Sequence, residues 1–198
     1  MRETIAEWLF QAWCQDLEGA FHAGRIPNEA MMLAELYRTL QALGEPEYEV
    51  WLRPELCFPP SEGPVFDQLE RYQWRQTLEG RTPGLLITRA DEVVGVVELR
   101  FHPQEFVDFR PDVRLLAALH RMAGKDRLLL GLGSQKEAYT LHGAPLLAYG
   151  LITRRSSLAF QARSLQEVVP DRDFPRPLLH LIGAIDPPQD QFAVRWLS

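Results

Sequence analysis

The segment PGLLITRADEVVGVVELRF, at residues 83–101, most constrains the fold because it holds two apolar runs separated by a short polar turn. Both runs are rich in Leu, Ile and Val, which favour strands. Together they predict a β-hairpin that is buried within a sheet. The second run ends in Glu98-Leu99-Arg100, so the carboxylate and the guanidinium project from the same face of the strand.

The first quarter of the chain has helical patterns. Residues 3–23 place apolar side chains close to helical spacing, and a second apolar stripe follows within residues 24–44, where Gly44 is a natural stop. Residues 48–53 then alternate between the two faces of a predicted strand, which Pro54 should bend or place at an edge.

The chain beyond the hairpin combines one clear helix with less decided segments. Residues 112–124 predict an amphipathic helix with Asp112 as a candidate N-cap, and residues 126–134 predict a short buried strand. Residues 144–155 and 157–168 fit either strands or short helices, and residues 175–185 end in an apolar run that should pack into the core.

These elements predict one α/β domain over residues 1–198, with a mixed sheet flanked by helices. Its parts are an N-terminal helical portion at residues 1–45, a core at residues 46–133 and a C-terminal extension of that core at residues 134–198. A chain of 198 residues is long enough for one well-buried domain.

Charge is distributed unevenly along the chain. Residues 1–70 carry 4 Lys/Arg and 13 Asp/Glu, a net −9, whereas residues 71–198 carry the other 17 and 14, a net +3. The total of −6 argues against a surface that grips nucleic acid all round. The asymmetry fits either one basic face or an acidic helix pair that docks on a partner protein.

The chain has the features of a cytoplasmic protein without a membrane segment. No apolar run approaches the roughly 18 to 20 residues that a transmembrane helix needs. Acidic residues interrupt the N-terminal stretch, which is unlike a signal peptide. Cys14 and Cys57 lack metal-ligand spacing and suit buried thiols in a reducing compartment.

The order of elements at residues 27–133 resembles the PD-(D/E)xK nuclease superfamily, which has a restriction-endonuclease-like core. Pro83-Gly84 stands where that family has Pro-Asp, and Glu98-Leu99-Arg100 stands where it has Glu-x-Lys. The 14-residue separation between positions 84 and 98 leaves room for the family's hairpin. The resemblance implies a restriction-endonuclease-like α/β fold with site residues at Glu98 and Arg100.

The resemblance also implies why the chemistry would be altered. In the family, the Asp and Glu hold Mg²⁺ beside the scissile phosphate, and the Lys helps to activate the attacking water. Gly84 supplies no carboxylate, and Arg100 keeps a positive charge but cannot lose its proton at neutral pH. We therefore expect a catalytically degenerate protein without a cofactor, which binds nucleic acid or a protein partner in a nucleic-acid-processing or defence system.

Two alternatives remain open. In one, an acidic ligand has migrated, and Glu98 with Glu55 would hold Mg²⁺ in an active nuclease. The resemblance itself also implies a helical glutamate ahead of the core, which would be Glu35 or, less favourably, Glu29. In the other, the chain is an acidic protein-interaction subunit without a nucleic-acid role.

A cluster of arginines in the last third predicts contacts to phosphate in addition to Arg100. Arg154 and Arg155 are its leading members, and Arg163, Arg172 and Arg176 follow. Acidic residues lie among them, so surface ion pairing is the alternative interpretation.

Overall fold

A computed structural model describes residues 1–58, 76–102, 110–124, 127–132, 135–155, 177–186 and 189–197. The helices are α1 (Arg2–Gln11), a π-helical segment (Ala12–Leu17), α2 (Glu18–His22), α3 (Glu29–Leu43) and α4 (Arg110–Met122). The strands are β1 (Tyr48–Leu52), β2 (Glu55–Cys57), β3 (Leu85–Arg89), β4 (Glu92–His102), β5 (Arg127–Leu132), β6 (Gln135–Arg154), β7 (Leu178–Ile185) and β8 (Gln191–Leu197).

The helical N-terminal portion is confirmed, and local chemistry explains its limits. The first three helical segments run on from one another through residue 22. The side chain of Asn28 then caps α3 by accepting a hydrogen bond from the Met31 backbone N–H at 3.0 Å. Helix α3 buries one apolar stripe and ends at Gly44, as its sequence pattern predicts.

The strands form one curled mixed sheet, which confirms the α/β class. Its order is β1-β3-β4-β6-β5-β2, with β7 beside the second half of β6 and β8 beside β7. Strands β3 and β4 are the predicted antiparallel hairpin. Strand β4 runs parallel to β6, and α4 lies between them in the chain.

Strand β6 resolves an ambiguity of the sequence. Residues 144–155 form strand through Arg154, as part of the 20-residue β6, which pairs with β4 on one side and with β5 and β7 on the other. Residues 134–198, predicted as an extension of the core, thus contribute a strand from the interior of the sheet. The segment at 157–168 lies outside the described residues.

Helices cover the sheet from two sides and divide the core into two clusters. One cluster packs α4 against Val96, Tyr149 and Leu151. The other packs α1, the π-helical segment and α3 against alternate residues of the same strands, including Leu99 and Ile152. The strand period of two explains this division.

Asp112 corrects one expectation from the sequence. Helix α4 begins at Arg110, so Asp112 lies within its first turn and is not the N-cap. Its carboxylate instead binds Arg100, 12 residues earlier in the chain.

Within the described residues, no helix is long and apolar enough to cross a membrane.

Candidate functional site

A charged cavity of about 230 Å³ lies where the N-terminal ends of α3 and α4 meet the β3–β4 hairpin. Apolar side chains and Gly84 form part of its wall. Of the residues that the structure describes, three acidic and three basic side chains also line it: Glu29, Glu98 and Asp112, and Arg53, Arg81 and Arg100. The cavity therefore includes both members of the Glu98-Leu99-Arg100 motif that project from one face of β4.

Gly84 and Glu98 lie side by side in this cavity. The pairing of Leu85 with Val97 aligns the two strands, and the Gly84 backbone N–H donates a hydrogen bond to the Glu98 carboxyl group. A Cβ atom at position 84 would lie 2.8 Å from the Val97 carbonyl oxygen and 3.4 Å from Leu33 Cδ1. Because the nearer atom belongs to the backbone of β4, an Asp at this position requires that strand to move.

Glu98 is buried and holds its proton at neutral pH. Glu98 is 7% exposed, and no described residue forms a hydrogen bond with its Oε1. Burial, followed by the nearby charge of Asp112, raises the pKa of Glu98 from 4.5 to about 8. A neutral carboxyl group is a poor ligand for Mg²⁺, which prefers charged oxygen donors.

Arg100 is held by carboxylates inside the cavity. Its Nε and Nη2 donate to Asp112 Oδ2 and Oδ1 at 2.6 and 2.5 Å, and its Nη1 lies 3.6 Å from Glu29 Oε1. The bonded Asp112 carboxylate raises the pKa of the guanidinium still further. Burial raises the pKa of Asp112, and the hydrogen bonds from Arg100 act against that rise. Arg100 therefore serves as an internal counterion to these acids.

Arg53 and Arg81 are the exposed cations of the cavity. Arg53 has a left-handed backbone, with φ of 47°, and its N–H donates to the Gly84 carbonyl oxygen at 3.1 Å. Non-glycine residues rarely adopt this conformation, and it occurs often at functional sites. The Arg53 guanidinium lies 3.4 Å from Glu29 Oε1, while Arg81 forms no ion pair with any other described residue.

The predicted acidic partners of Glu98 occupy different places. Glu35 lies on the surface of α3, where it binds Arg38 at 2.9 Å and Arg25 at 3.2 Å, so Glu29 is the α3 glutamate that lines the cavity. Glu55 is exposed at the start of β2 and is not among the described residues that line the cavity.

The predicted arginine cluster is only partly described. Arg154 ends β6, and Arg155 follows it; both are exposed, and neither is among the described residues that line the cavity. Arg155 Nη1 lies 3.3 Å from Asp186 Oδ2. The remaining members of the cluster lie outside the described residues: Arg163, Arg172 and Arg176.

A metal ion does not fit the acidic side chains as they are arranged. Across the described ranges, no group of three His, Cys, Asp or Glu side chains is placed to hold an ion. Asp112 is bound to Arg100, Glu29 lies beside Arg100 and Arg53, and Glu98 is protonated. Coordination would require Arg100 to move and Glu98 to ionise.

A row of buried polar side chains leads from the cavity across the sheet, and sequence analysis missed it. Glu98, Tyr149 and His180 are register partners on β4, β6 and β7. Among the described residues, the Tyr149 hydroxyl and both His180 ring nitrogens have no hydrogen-bond partner, and the two rings stack at a centroid distance of 6.2 Å. Burial raises the pKa of Tyr149 and lowers that of His180 from 6.5 to about 3.

Asp112, Arg53 and Arg81 were also missed. Asp112 had a simpler interpretation as a helix cap, and Arg53 stands beside Pro54 where a bend was expected. The signal that the sequence offered for the site was the two-residue spacing of Glu98 and Arg100 on one strand. It identified two of the six described charged residues that line the cavity.

Comparison with protein-family models, curated proteins and solved structures returned no match for this chain.

Proposed function

We propose that this protein is a catalytically degenerate PD-(D/E)xK nuclease-like protein that binds the phosphate backbone of nucleic acid at the charged cavity. We further propose that it acts within a nucleic-acid-processing or defence system. The observation that carries the proposal is the arrangement around Glu98. Gly84 lies beside it where the resemblance expects an acid, and Arg100 is held between Asp112 and Glu29.

The sheet topology supports a restriction-endonuclease-like core. A helix, α3, precedes three strands that pair successively as antiparallel neighbours, β1, β3 and β4. Helix α4 then leads, through β5, to β6, which is parallel to β4. The order of helix, strand, hairpin and helix agrees with the resemblance, which covers residues 27–133, whereas the strand parallel to β4 is β6 from beyond that range, and β5 pairs with β2 and β6 instead.

The charge of the cavity favours an anionic ligand. With Glu98 protonated, three arginines face two carboxylates, so the formal charge of the six side chains is +1. Arg100 is occupied by Asp112, so we assign the phosphate contacts to Arg53 and Arg81, whose side chains lie at the exposed mouth. Arginine suits this role because its planar fork matches phosphate oxygens.

One observation favours an active Mg²⁺-dependent nuclease as the second candidate. Three acidic side chains, those of Glu29, Glu98 and Asp112, line the same cavity. If a divalent cation displaced Arg100 and ionised Glu98, it would polarise a phosphoryl oxygen. That state differs from the described arrangement in the bound cation, in the ionised Glu98 and in the displaced Arg100. It would be recognised by metal-dependent hydrolysis, which the proposed binding protein would not show.

The proposal can be tested by measuring binding and cleavage with single- and double-stranded DNA and RNA, with and without Mg²⁺ or Mn²⁺. We expect salt-dependent binding without cleavage. Arg53→Ala and Arg81→Ala should weaken binding, and each lost phosphate contact should lower the slope of log K against log salt by roughly 0.7 to 0.9. Arg89→Ala is the matched control, because Arg89 is exposed at the far end of β3 and pairs with Glu47 at 2.8 Å.

The other outcomes discriminate between the alternatives. Metal-dependent cleavage that Glu98→Ala abolishes would replace the proposal with the active nuclease. If no nucleic acid binds, the remaining candidate is a protein-interaction subunit. If Arg154→Ala and Arg155→Ala weaken binding as much as the cavity variants do, the contact surface extends to the end of β6.

A further inference from the structure

A second groove, of about 460 Å³, lies between the N-terminal helix and the last strand of the sheet. Glu3, Glu7 and Phe10 of α1 line one wall, and Val194 and Trp196 of β8 line the other. None of the residues that line the charged cavity contributes to this groove. It is therefore a separate feature of the described structure.

Two large aromatic side chains are left open to solvent at this groove. Phe10 is 50% exposed and Trp196 is 46% exposed. Among the described residues, four large apolar side chains are exposed, and these two lie on facing walls of one groove. Aromatic side chains placed in this way are typical anchors of protein interfaces.

Within the described part of the chain, the outer edge of strand β8 is open beside the same groove. Among the described strands it pairs with β7 alone. The outer edge of such a strand offers unpaired backbone N–H and C=O groups, to which an extended segment can add as a further strand. The added strand would direct every second side chain toward the helix side of the sheet, where Phe10 and Trp196 lie.

The charge of the groove identifies the kind of segment that fits. Glu3 and Glu7 are exposed on the α1 wall, and the other side chains of that wall carry no charge. Arg195 is the one charged residue that the strands contribute to the lining. The N-terminal 70 residues as a whole carry a net charge of −9. An occupant that presents Lys or Arg toward α1 would complement this wall.

We propose that β8 and this groove dock an extended basic segment of a partner protein, which adds as a strand to the edge of the sheet. The side chains at every second position of the segment face α1: the apolar ones among them pack between Phe10 and Trp196, and the Lys or Arg side chains among them pair with Glu3 and Glu7. This surface is independent of nucleic-acid binding at the charged cavity.

The test uses the full-length protein and a set of labelled peptides of seven residues, the length of β8. One peptide, Val-Thr-Lys-Thr-Val-Thr-Lys (the Val/Lys peptide), places Val and Lys in turn on the same face of the strand. A second has Glu in place of Lys (the Val/Glu peptide), and a third is the Val/Lys peptide with alternate backbone N-methylation, which blocks strand pairing. We expect fluorescence anisotropy to show binding of the Val/Lys peptide alone. Trp196→Ser and Phe10→Ser should each raise its Kd about tenfold or more.

Two variants make the test specific. Met31→Ser is the matched control, because Met31 is 48% exposed on α3 and does not line the groove; it should leave Kd unchanged. Glu3→Lys with Glu7→Lys should reverse the preference and favour the Val/Glu peptide. Circular dichroism of each variant establishes that the fold is retained.

Three results would overturn the proposal. The first is equal binding, or no binding, of the Val/Lys and Val/Glu peptides. The second is unchanged affinity on N-methylation, which would exclude strand addition. The third is a protein that sediments as a dimer and becomes monomeric with Trp196→Ser, because the occupant would then be a second copy of the chain.

Discussion

The two faces of the sheet are built from alternate residues of the same strands, yet they differ in how their polar groups are satisfied. On the face toward α1 and α3, the buried Trp13 indole N–H donates to the Ile182 carbonyl oxygen at 3.0 Å. On the face toward α4, the three neighbouring residues Glu98, Tyr149 and His180 are buried with polar atoms that lack partners among the described residues, whereas on α1 the Nε of Arg2 is the one such atom described. Both faces hold an apolar cluster, but the face toward α4 also retains a row of costly polar groups that begins at the charged cavity.

Such groups are costly because folding removes their hydrogen bonds with water. Each unsatisfied buried donor or acceptor costs about 1 to 3 kcal/mol. The face toward α1 and α3 is closely packed. A Cβ atom at Gly150 would contact Leu99 and would lie 3.2 Å from the Trp13 ring. Close packing around Trp13 therefore adds stability, and the polar row subtracts from it. Buried polar groups without partners are an exception to the usual rule of polar satisfaction, and such exceptions are expected near functional sites.

Of the replacements that test this contrast, Trp13→Ala should lower the free energy of unfolding most, because it removes the central side chain of the α1 face. Trp13 is fully buried within the cluster, and its loss leaves a cavity and removes the indole N–H that donates to the Ile182 carbonyl oxygen. We expect the free energy of unfolding to fall by about 3 to 5 kcal/mol, measured by urea denaturation. Phe10→Ala, on the same helical portion but half exposed, is the control, and a similar loss there would contradict the contrast.

The pH dependence of the unfolding free energy should reveal the contributions of Glu98 and His180. Glu98 has a pKa raised from 4.5 to about 8 on folding, so its contribution is fully present below 4.5 and is lost as pH rises through 8. His180 has a pKa lowered from 6.5 to about 3, so its contribution is present above 6.5 and is lost as pH falls toward 3. The two effects oppose each other between 4.5 and 6.5, where we expect a plateau.

Variants assign each limb of this profile. Above 6.5 the stability of the native protein should fall by about 1.4 kcal/mol per pH unit until Glu98 ionises near 8. Glu98→Gln should flatten this alkaline limb, and His180→Gln should flatten the acidic one. Urea denaturation across the pH range measures both, and an alkaline limb that survives in Glu98→Gln would mean that the polar row does not control it.

The contrast between the faces explains which parts of the fold could be predicted from the sequence. The β3–β4 hairpin was predictable because its apolar runs and its turn are contiguous, and α3 was predictable because Asn28 and Gly44 mark its ends. Strand β6 was not assigned, since a buried strand has no alternation that distinguishes it from a short apolar helix. Its place within the sheet depends on pairing with β4, which no local pattern encodes.

The site was predictable only in part for a similar reason. Glu98 and Arg100 share a strand, so their common face follows from spacing alone. The Asp112–Arg100 pair forms only once α4 packs back against β4, and the row that ends at His180 crosses three strands. These relations are tertiary, and Asp112 therefore had a local interpretation as a helix cap that the fold overrides.

Asp112→Asn should have an intermediate effect, because it leaves a half-buried guanidinium without its main partner. Asn keeps the shape of the side chain and one acceptor but removes the charge that Arg100 binds. Since the Arg100 side chain is 32% exposed, water screens part of the loss, and we expect a decrease of about 1 to 2 kcal/mol in unfolding free energy. The double variant Asp112→Asn with Arg100→Met should regain part of it, as a double-mutant cycle would measure.

Tyr149→Phe should change the unfolding free energy least, and the sign of that change is the sharpest test of the contrast between the two faces. The Tyr149 hydroxyl is buried and has no partner in the described part of the chain, so removing it relieves a cost and leaves the ring packed against His180. We expect the unfolding free energy to stay the same or to rise by up to about 1 kcal/mol. A loss of that size would instead mean that the hydroxyl is bonded in solution, for example through an internal water. Trp13→Phe on the opposite face should be destabilising, because it removes an indole N–H that is bonded. Opposite signs for these two aromatic replacements would establish that the two faces of one sheet differ in their polar satisfaction.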